Sequence, residues 1–298
     1  MKINTPILFL IFNRPDKTKK AFAAIRKAKP RILFVAADGP RRGNESDIKA
    51  CSDARKVTEN IDWKCKVKRL YRNENIGIEK SIPGAIDWFF NNVNEGIILE
   101  DDCLPDQSLF DFCSSMLKRY KNDKNIMLIR GSNLAGDHDG SGKYYMSKYI
   151  GMWGWATWKR SWKLYDSSMK DWGHPKTKEK ILSLFDSFWE KIYWKILLNA
   201  TYYGKTNSWG YRWMYSVWKN EGKIITPNIN LVKNLGFKGK KTHFVLRSFE
   251  IDTGKINKPY SLVKDNTFAA ISDNRVSKNF YGINPLMVFL QFLYYAFQ

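Results

Sequence analysis

Gly96-Ile97-Ile98-Leu99-Glu100-Asp101-Asp102-Cys103-Leu104-Pro105 is the stretch on which the fold turns. Ile97, Ile98 and Leu99, bounded by Gly96 and by acids, read as a buried strand. Pro105 follows shortly after the acids and prevents a smooth continuation. A buried strand that ends in carboxylates sets oxygen ligands at a sheet edge, where a hard divalent cation can collect them. In open α/β sheets, ligands bind outside the carboxyl ends of the strands. A solvated acidic turn would carry the same three letters, so the rest of the chain has to decide between the two.

Upstream, Thr5 to Phe12 is continuously apolar and predicts a strand. Asn13-Arg14-Pro15-Asp16 then opens a helix, with Asn13 as its cap and Pro15 in its first turn. The helix is expected over Thr18–Lys27, with Ala21, Phe22 and Ile25 on one face. Arg31 to Ala37 predicts a second strand, stopped by the turn Asp38-Gly39-Pro40. A helix over Ser46–Asn60, a strand over Lys64–Tyr71, a loop over Asn73–Gly77 and a helix over Ser81–Asn92 with Pro83 in its first turn lead to the opening stretch. Strands alternating with helices imply βαβ units and a mostly parallel sheet. Neither G-x-G-x-x-G nor G-x-x-x-x-G-K-[ST] is present, which disfavours two common nucleotide-binding readings.

Beyond Pro105 the pattern changes. A helix over Asp106–Tyr120 and a strand over Ile126–Arg130 precede a loop from Gly131 to Gly142. Trp153-Gly154-Trp155-Ala156-Thr157-Trp158 and Trp162 follow, then helices over Lys178–Ala200 and Trp209–Asn220 and a strand over Gly222–Pro227. The aromatic residues concentrate in this half.

The 298 residues are 44% hydrophobic and 27% charged, enough to bury a full core in one large domain or two small ones. The 50 Lys and Arg against 29 Asp and Glu give a formal charge of +21, a field that attracts polyanions. The lysines are spread along the chain, which argues against a nucleic-acid-binding tail. Cys51, Cys65, Cys103 and Cys113 form no C-x-x-C pair and suit a reduced, cytoplasmic interior. No leader is expected, because Met1-Lys2 runs straight into a strand, and no apolar stretch is long enough to span a bilayer. Pro285 to Gln298 is uncharged and strongly apolar; it fits either a helix docked on the protein or a peripheral contact with the inner face of a membrane.

Four loops fall at or just past strand ends: Asn13-Arg14-Pro15, Asp38-Gly39, Asn75-x-Gly77 with Lys80 nearby, and Glu100-Asp101-Asp102. Together they offer a cation for phosphates and carboxylates for a ribose, a base edge and a metal. With Ala37-Asp38-Gly39, Trp153 to Trp158, Asn230-Leu231-Val232-x-Asn234-Leu235-Gly236-Phe237 and Thr242-His243-Phe244, the sequence resembles the GT-A glycosyltransferases. It is most similar to a bacterial family related to N-acetylglucosaminyltransferase I, over roughly Thr5 to Phe244.

The resemblance implies an α/β fold of GT-A (Rossmann-like) type: a mostly parallel sheet flanked by helices, with an aromatic-rich acceptor half. Residues 1–250 would form one domain, 1–130 holding the nucleotide sugar and 131–250 the acceptor, with 251–298 an extension. It implies a UDP-sugar or similar donor and a glycan or lipid-linked acceptor, with no nucleic acid. Arg14 would contact the diphosphate, Asp38 the base, Asp101 the ribose, and Asp102 a Mn²⁺ or Mg²⁺ bridging the phosphates; Asn13, Asn75, Gly77 and Lys80 complete the nucleotide contacts. Glu100 and His243 are further candidate metal ligands, His243 lying among Lys240, Lys241 and Arg247. Trp155 and Tyr211 are candidate acceptor contacts. Inversion needs a general base, and the family's carboxylate after the Trp matching Trp209 is replaced by Gly210. Asp137, Asp139, Asp166 and Asp171 are the substitutes in the same half. Two alternatives stand beside this reading: a nucleotide-sugar-binding protein without a base, and a metal-dependent nucleotidyltransferase or nuclease.

Overall fold

The computed structural model describes residues 3–136, 143–236 and 251–297. The continuous apolar runs form β1 (Ile7–Ile11), β2 (Ile32–Ala37) and β4 (Glu95–Glu100), and the weakly alternating Lys66–Tyr71 forms β3. β3, β2, β1 and β4 lie side by side, all parallel. Their carboxyl ends therefore share one edge, which is why residues distant in sequence meet there. The connecting helices are α1 (Pro15–Ala28), α2 (Glu45–Val57) and α3 (Ile78–Phe90).

After β4 the chain turns at Asp101-Asp102 into the short β5 (Cys103–Pro105), then α4 (Ser108–Arg119) and β6 (Ile126–Arg130). The second half adds β7 (Tyr144–Ser147), β8 (Trp155–Trp158), α5 (Lys159–Trp162), α6 (Pro175–Leu182), α7 (Phe188–Tyr202), α8 (Trp209–Lys219), β9 (Lys223–Pro227) and β10 (Val232–Asn234). The sheet order is β3-β2-β1-β4-β8-β6-β9-β7. β8 runs antiparallel between β4 and β6, so the parallel half is joined to the second half through a reversed strand. The result is a mixed α/β, Rossmann-like architecture with helices on both faces. Residues 251–297 add α9 (Asn266–Arg275) and α10 (Pro285–Ala296).

One face of the sheet packs on α1 and α4 through Phe22, Phe110, Phe112 and Met116. The other packs on α3 and α5 to α8 through Trp155, Trp194, Trp213 and Trp218, all essentially inaccessible. The tryptophans thus fill the second half's core, where each buries large apolar area.

Several sequence boundaries shift for identifiable reasons. The helix expected over Lys178–Ala200 is two helices, because the chain turns between α6 and α7 to drive Phe185 into the core against Trp194, ring centroids 5.9 Å apart. α3 starts before Ser81: Gly77, at φ +80°, precedes it in a conformation that favours glycine, so Pro83 lies inside the helix. Asn13 does not cap α1; Arg14 occupies that position, and the Asn13 side chain instead donates to Asp47 of α2 at 2.7 Å.

Candidate functional site

The carboxyl edge of β1, β2 and β4 gathers the predicted loops into two linked groups. In the first, Asp38 at the end of β2 accepts from the backbone N–H of Gly39 at 3.0 Å and of Ile76 at 3.2 Å. Asn75 donates to the Gly39 carbonyl at 3.1 Å and accepts from Gly77 N–H, also at 3.1 Å. Arg55 holds the carbonyls of Asp38 and Arg72. Asp38, Asn75 and Gly77 thus form one cross-braced turn, with Asp38 buried. Asn13 is tied to the same region through Asp47, whose carboxylate Arg41 holds well below the usual range. Lys80 stands apart from both groups, exposed in the first turn of α3 on a groove of about 800 Å³ shared with Trp162, Lys163 and Arg212.

The second group is the acid cluster. Asp101 is buried and accepts from the Phe12 backbone N–H at 3.1 Å. Arg14, half-exposed, places Nη1 2.9 Å from Asp102 Oδ2 and 3.6 Å from Asp101 Oδ1. Glu100, the last residue of β4, is half-buried. Burial, followed by the charges of Asp102 and Asp101, pushes its carboxyl up to about 8; burial and then Asp102 push Asp101 up to about 6. Arg14 opposes both shifts and does not cancel them. Asp101 and Asp102 therefore share one guanidinium, with the Glu100 carboxyl crowded beside them in a largely buried place.

The sequence does not reveal by local pattern that residues 232–236 close over this cluster. β10 pairs antiparallel with β5, with Asn234 opposite Cys103. Leu235 N–H donates to the Asp102 carbonyl at 2.7 Å, and Gly236 N–H to Asn234 Oδ1 at 2.6 Å. A Cβ on Gly236 would stand 2.5 Å from Asp102 Oδ2. Glycine at this position keeps side-chain atoms off the Asp102 oxygen that Arg14 holds, so a cation could reach it once Arg14 turns away. Among the described residues no three His, Cys, Asp or Glu side chains converge as a metal cage. Mg²⁺-like ions commonly take one or two carboxylates and complete their shell with phosphate oxygens and water, so this donor set fits such an ion together with its ligand.

The acceptor-side candidates fare differently. Trp155 is wholly buried, stacked on Trp209 at 6.2 Å and tilted against Trp213 at 6.3 Å, so it is a core residue and not an acceptor contact. Trp158 is likewise buried, and Trp153 alone of the three keeps partial exposure. Tyr211 belongs to the packing beside α10: its phenol is pushed up by burial, with Tyr281 and Tyr295 as neighbours. Asp166 and Asp171 are taken by structure, since both pair with Lys219 of α8 and Asp166 also accepts from Ser168. Position 210, at the start of α8, has no side chain, and the space beside it is filled by Met152, whose Cε lies 2.4 Å from where a Cβ would be. Asp137, Asp139 and His243 lie outside the described residues.

No protein-family model and no curated protein sequence matches this chain. Solved structures similar to part of it include HddC from Yersinia pseudotuberculosis, at 12% identity over 57% of this chain and 80% of that one, with a TM-score of 0.31. Another is the inositol-1-phosphate CTP transferase from T. maritima, at 12% identity over 55% and 75%, with a TM-score of 0.33. Likenesses of this size leave function to be argued from the residues.

Proposed function

We propose that this chain is a metal-dependent glycosyltransferase of GT-A type, taking a sugar from a nucleoside diphosphate donor and passing it, with inversion, to a glycan or lipid-linked acceptor. The observation that carries this reading is the acid cluster at the β4 end, under-neutralised by Arg14 and closed over by Gly236. Asp102 would hold the Mn²⁺ or Mg²⁺. An ion held there would supply positive charge to offset that developing on a departing diphosphate. Arg14 can turn its guanidinium from Asp102 to a phosphate, because its side chain is 46% exposed and ends in a planar fork suited to that anion. Asp101, buried and held by Phe12 N–H, would accept a ribose hydroxyl. The braced turn of Asp38 and Asn75 supports the base.

A calorimetric titration with UDP and other nucleoside diphosphates, with and without Mn²⁺, tests this. Binding that requires the metal is expected; no metal-dependent binding to any of them ends the proposal. A nucleotide-sugar hydrolysis panel then identifies the donor.

A second reading, binding of a nucleotide sugar without transfer, is favoured by Met152 standing where the family's base would project. It predicts donor binding without turnover and a gain of turnover in Gly210→Asp, whose Cβ requires the flexible end of Met152 to move. A two-metal nuclease would need carboxylates from several strands. The described residues present one such cluster.

A further inference from the structure

Helix α10 carries its polarity inside out. At 100° per residue, Leu286, Phe289, Leu290, Leu293 and Phe297 fall on one face. Four of these are strongly exposed, from 37% at Leu290 to 86% at Phe297. The inward face holds Met287 and Val288 together with Gln291, whose Oε1 is buried without a hydrogen-bond partner. A helix built only to cover its own protein would present Gln291 to water and bury the leucines and phenylalanines. The helix is nonetheless formed and anchored. Asn284 caps it by accepting from Met287 N–H at 3.0 Å, and Lys205 donates to the Tyr295 carbonyl at 2.5 Å. Residues 279–298 contain no charged side chain.

α7, packed alongside α10, exposes Lys191, Lys195 and Tyr202, and the exposed Tyr203 and Lys205 follow its end. Tyrosine rings with a wet hydroxyl and an apolar body suit a lipid–water boundary, and lysines suit anionic headgroups. The chain as a whole carries +21. A second copy meeting this face by two-fold symmetry would bring the same lysines toward each other. An anionic lipid surface satisfies the apolar face and the cations together. At 12 residues α10 is about 18 Å long, and no helix of the described residues is long and apolar enough to cross a membrane.

We propose that α10, with the aromatic and basic end of α7, docks this protein on an anionic lipid bilayer, the helix lying in the plane of the headgroups. The test is co-sedimentation of the full chain with phosphatidylcholine vesicles, with and without phosphatidylglycerol, at low and high salt. Wild type is expected to bind the anionic vesicles and to release with salt. The variant Leu286→Ser/Phe289→Ser is expected to lose about tenfold or more of that partition. Both residues are exposed, so thermal unfolding and metal-dependent UDP binding should be unchanged, which separates this surface from the donor site. The proposal is overturned if wild type ignores anionic vesicles, if it binds neutral vesicles equally, or if the variant binds like wild type. Light scattering that shows a dimer abolished by the variant, without vesicle binding, would assign the face to a second copy instead.

Discussion

Buried carboxylates occur in both halves of the sheet, and the two halves treat them in opposite ways. In the second half, Asp273 of α9 is enclosed, and burial raises its pKa. Ser147 Oγ donates to it at 2.5 Å and Lys148 N–H at 3.2 Å, and the charges of Lys148 and Arg130 also favour its ionised form. Glu190 of α7 accepts from the Tyr149 hydroxyl at 2.5 Å. Arg130, itself wholly buried, donates to the carbonyls of Ser132 and Tyr149. Both of these buried acids have a donor, and the network joins α9 and α7 to the sheet. At the end of β4, by contrast, Glu100, Asp101 and Asp102 crowd together with Arg14 as their shared cation. A balanced cluster holds a fold together; an unbalanced one is held in place by the fold and stands ready for a cation from outside.

The largest effect that separates the two is expected at Arg130. Arg130→Met removes the cation that favours Asp273 and leaves two buried carbonyls unpaired, so it should cost about 3 kcal/mol of unfolding free energy. Denaturant unfolding checks this, and a variant as stable as wild type would show that the network contributes no net stability. Asp102→Asn should do the reverse. It relieves a crowded acid, leaves stability near that of wild type, and weakens metal-dependent UDP binding by at least about 100-fold. Equal binding by the variant in calorimetry would move the metal away from Asp102.

The pH response sharpens the contrast further. Glu100 and Asp101 have folded pKa values above their ordinary ones, about 8 and about 6. Such groups favour the fold while protonated, and the contribution is lost as pH rises through the folded value. The metal-free protein should therefore lose stability between about pH 4.5 and pH 8. Glu100→Gln should flatten that decline by about 2 kcal/mol, less than the full shift because the side chain is only half-buried. Thermal unfolding across a pH series reads this directly; parallel curves for the two proteins would mean that Glu100 is ionised throughout. Adding Mn²⁺ with UDP should raise stability most at the alkaline end, where the acids are charged.

The contrast also explains what could be read without a structure. β1, β2, β4 and α1 declare themselves through long apolar runs and local punctuation. Because parallel strands end at one edge, Arg14 meets Asp102 as a consequence of strand order alone. β5, β7, β8 and β10 are strands of three or four residues, too short to carry a periodicity, and were not legible for that reason, whereas the five-residue β6 and β9 were. Aromatic content does not say which way a ring faces, so the sequence favours core for at least two of Trp153, Trp155 and Trp158 without saying which, and Trp155 stood as the acceptor candidate. Asp166 and Asp171 looked available because their partner, Lys219, comes from another helix.

Residue 236 is where the second half reaches the acid cluster, and the smallest predicted effect is a test of that contact. The quoted stretch Asn234-Leu235-Gly236 has no local reason to face Asp102; the β5–β10 pairing puts it there. Gly236→Ala would place a methyl group 2.5 Å from Asp102 Oδ2 and close to Asn234 Oδ1, too near for either oxygen to stay. Asp102 has limited room, since Arg14 holds one side of it and its own carbonyl is bound by Leu235 N–H. The carboxylate should therefore swing off the position a cation needs, while the core on both faces of the sheet is untouched. Metal-dependent UDP binding is expected to weaken about tenfold, with unfolding free energy changed by less than about 1 kcal/mol. Equal losses of stability and of binding would instead make the β5–β10 ribbon a structural brace, with the cradle at Gly236 incidental to the site.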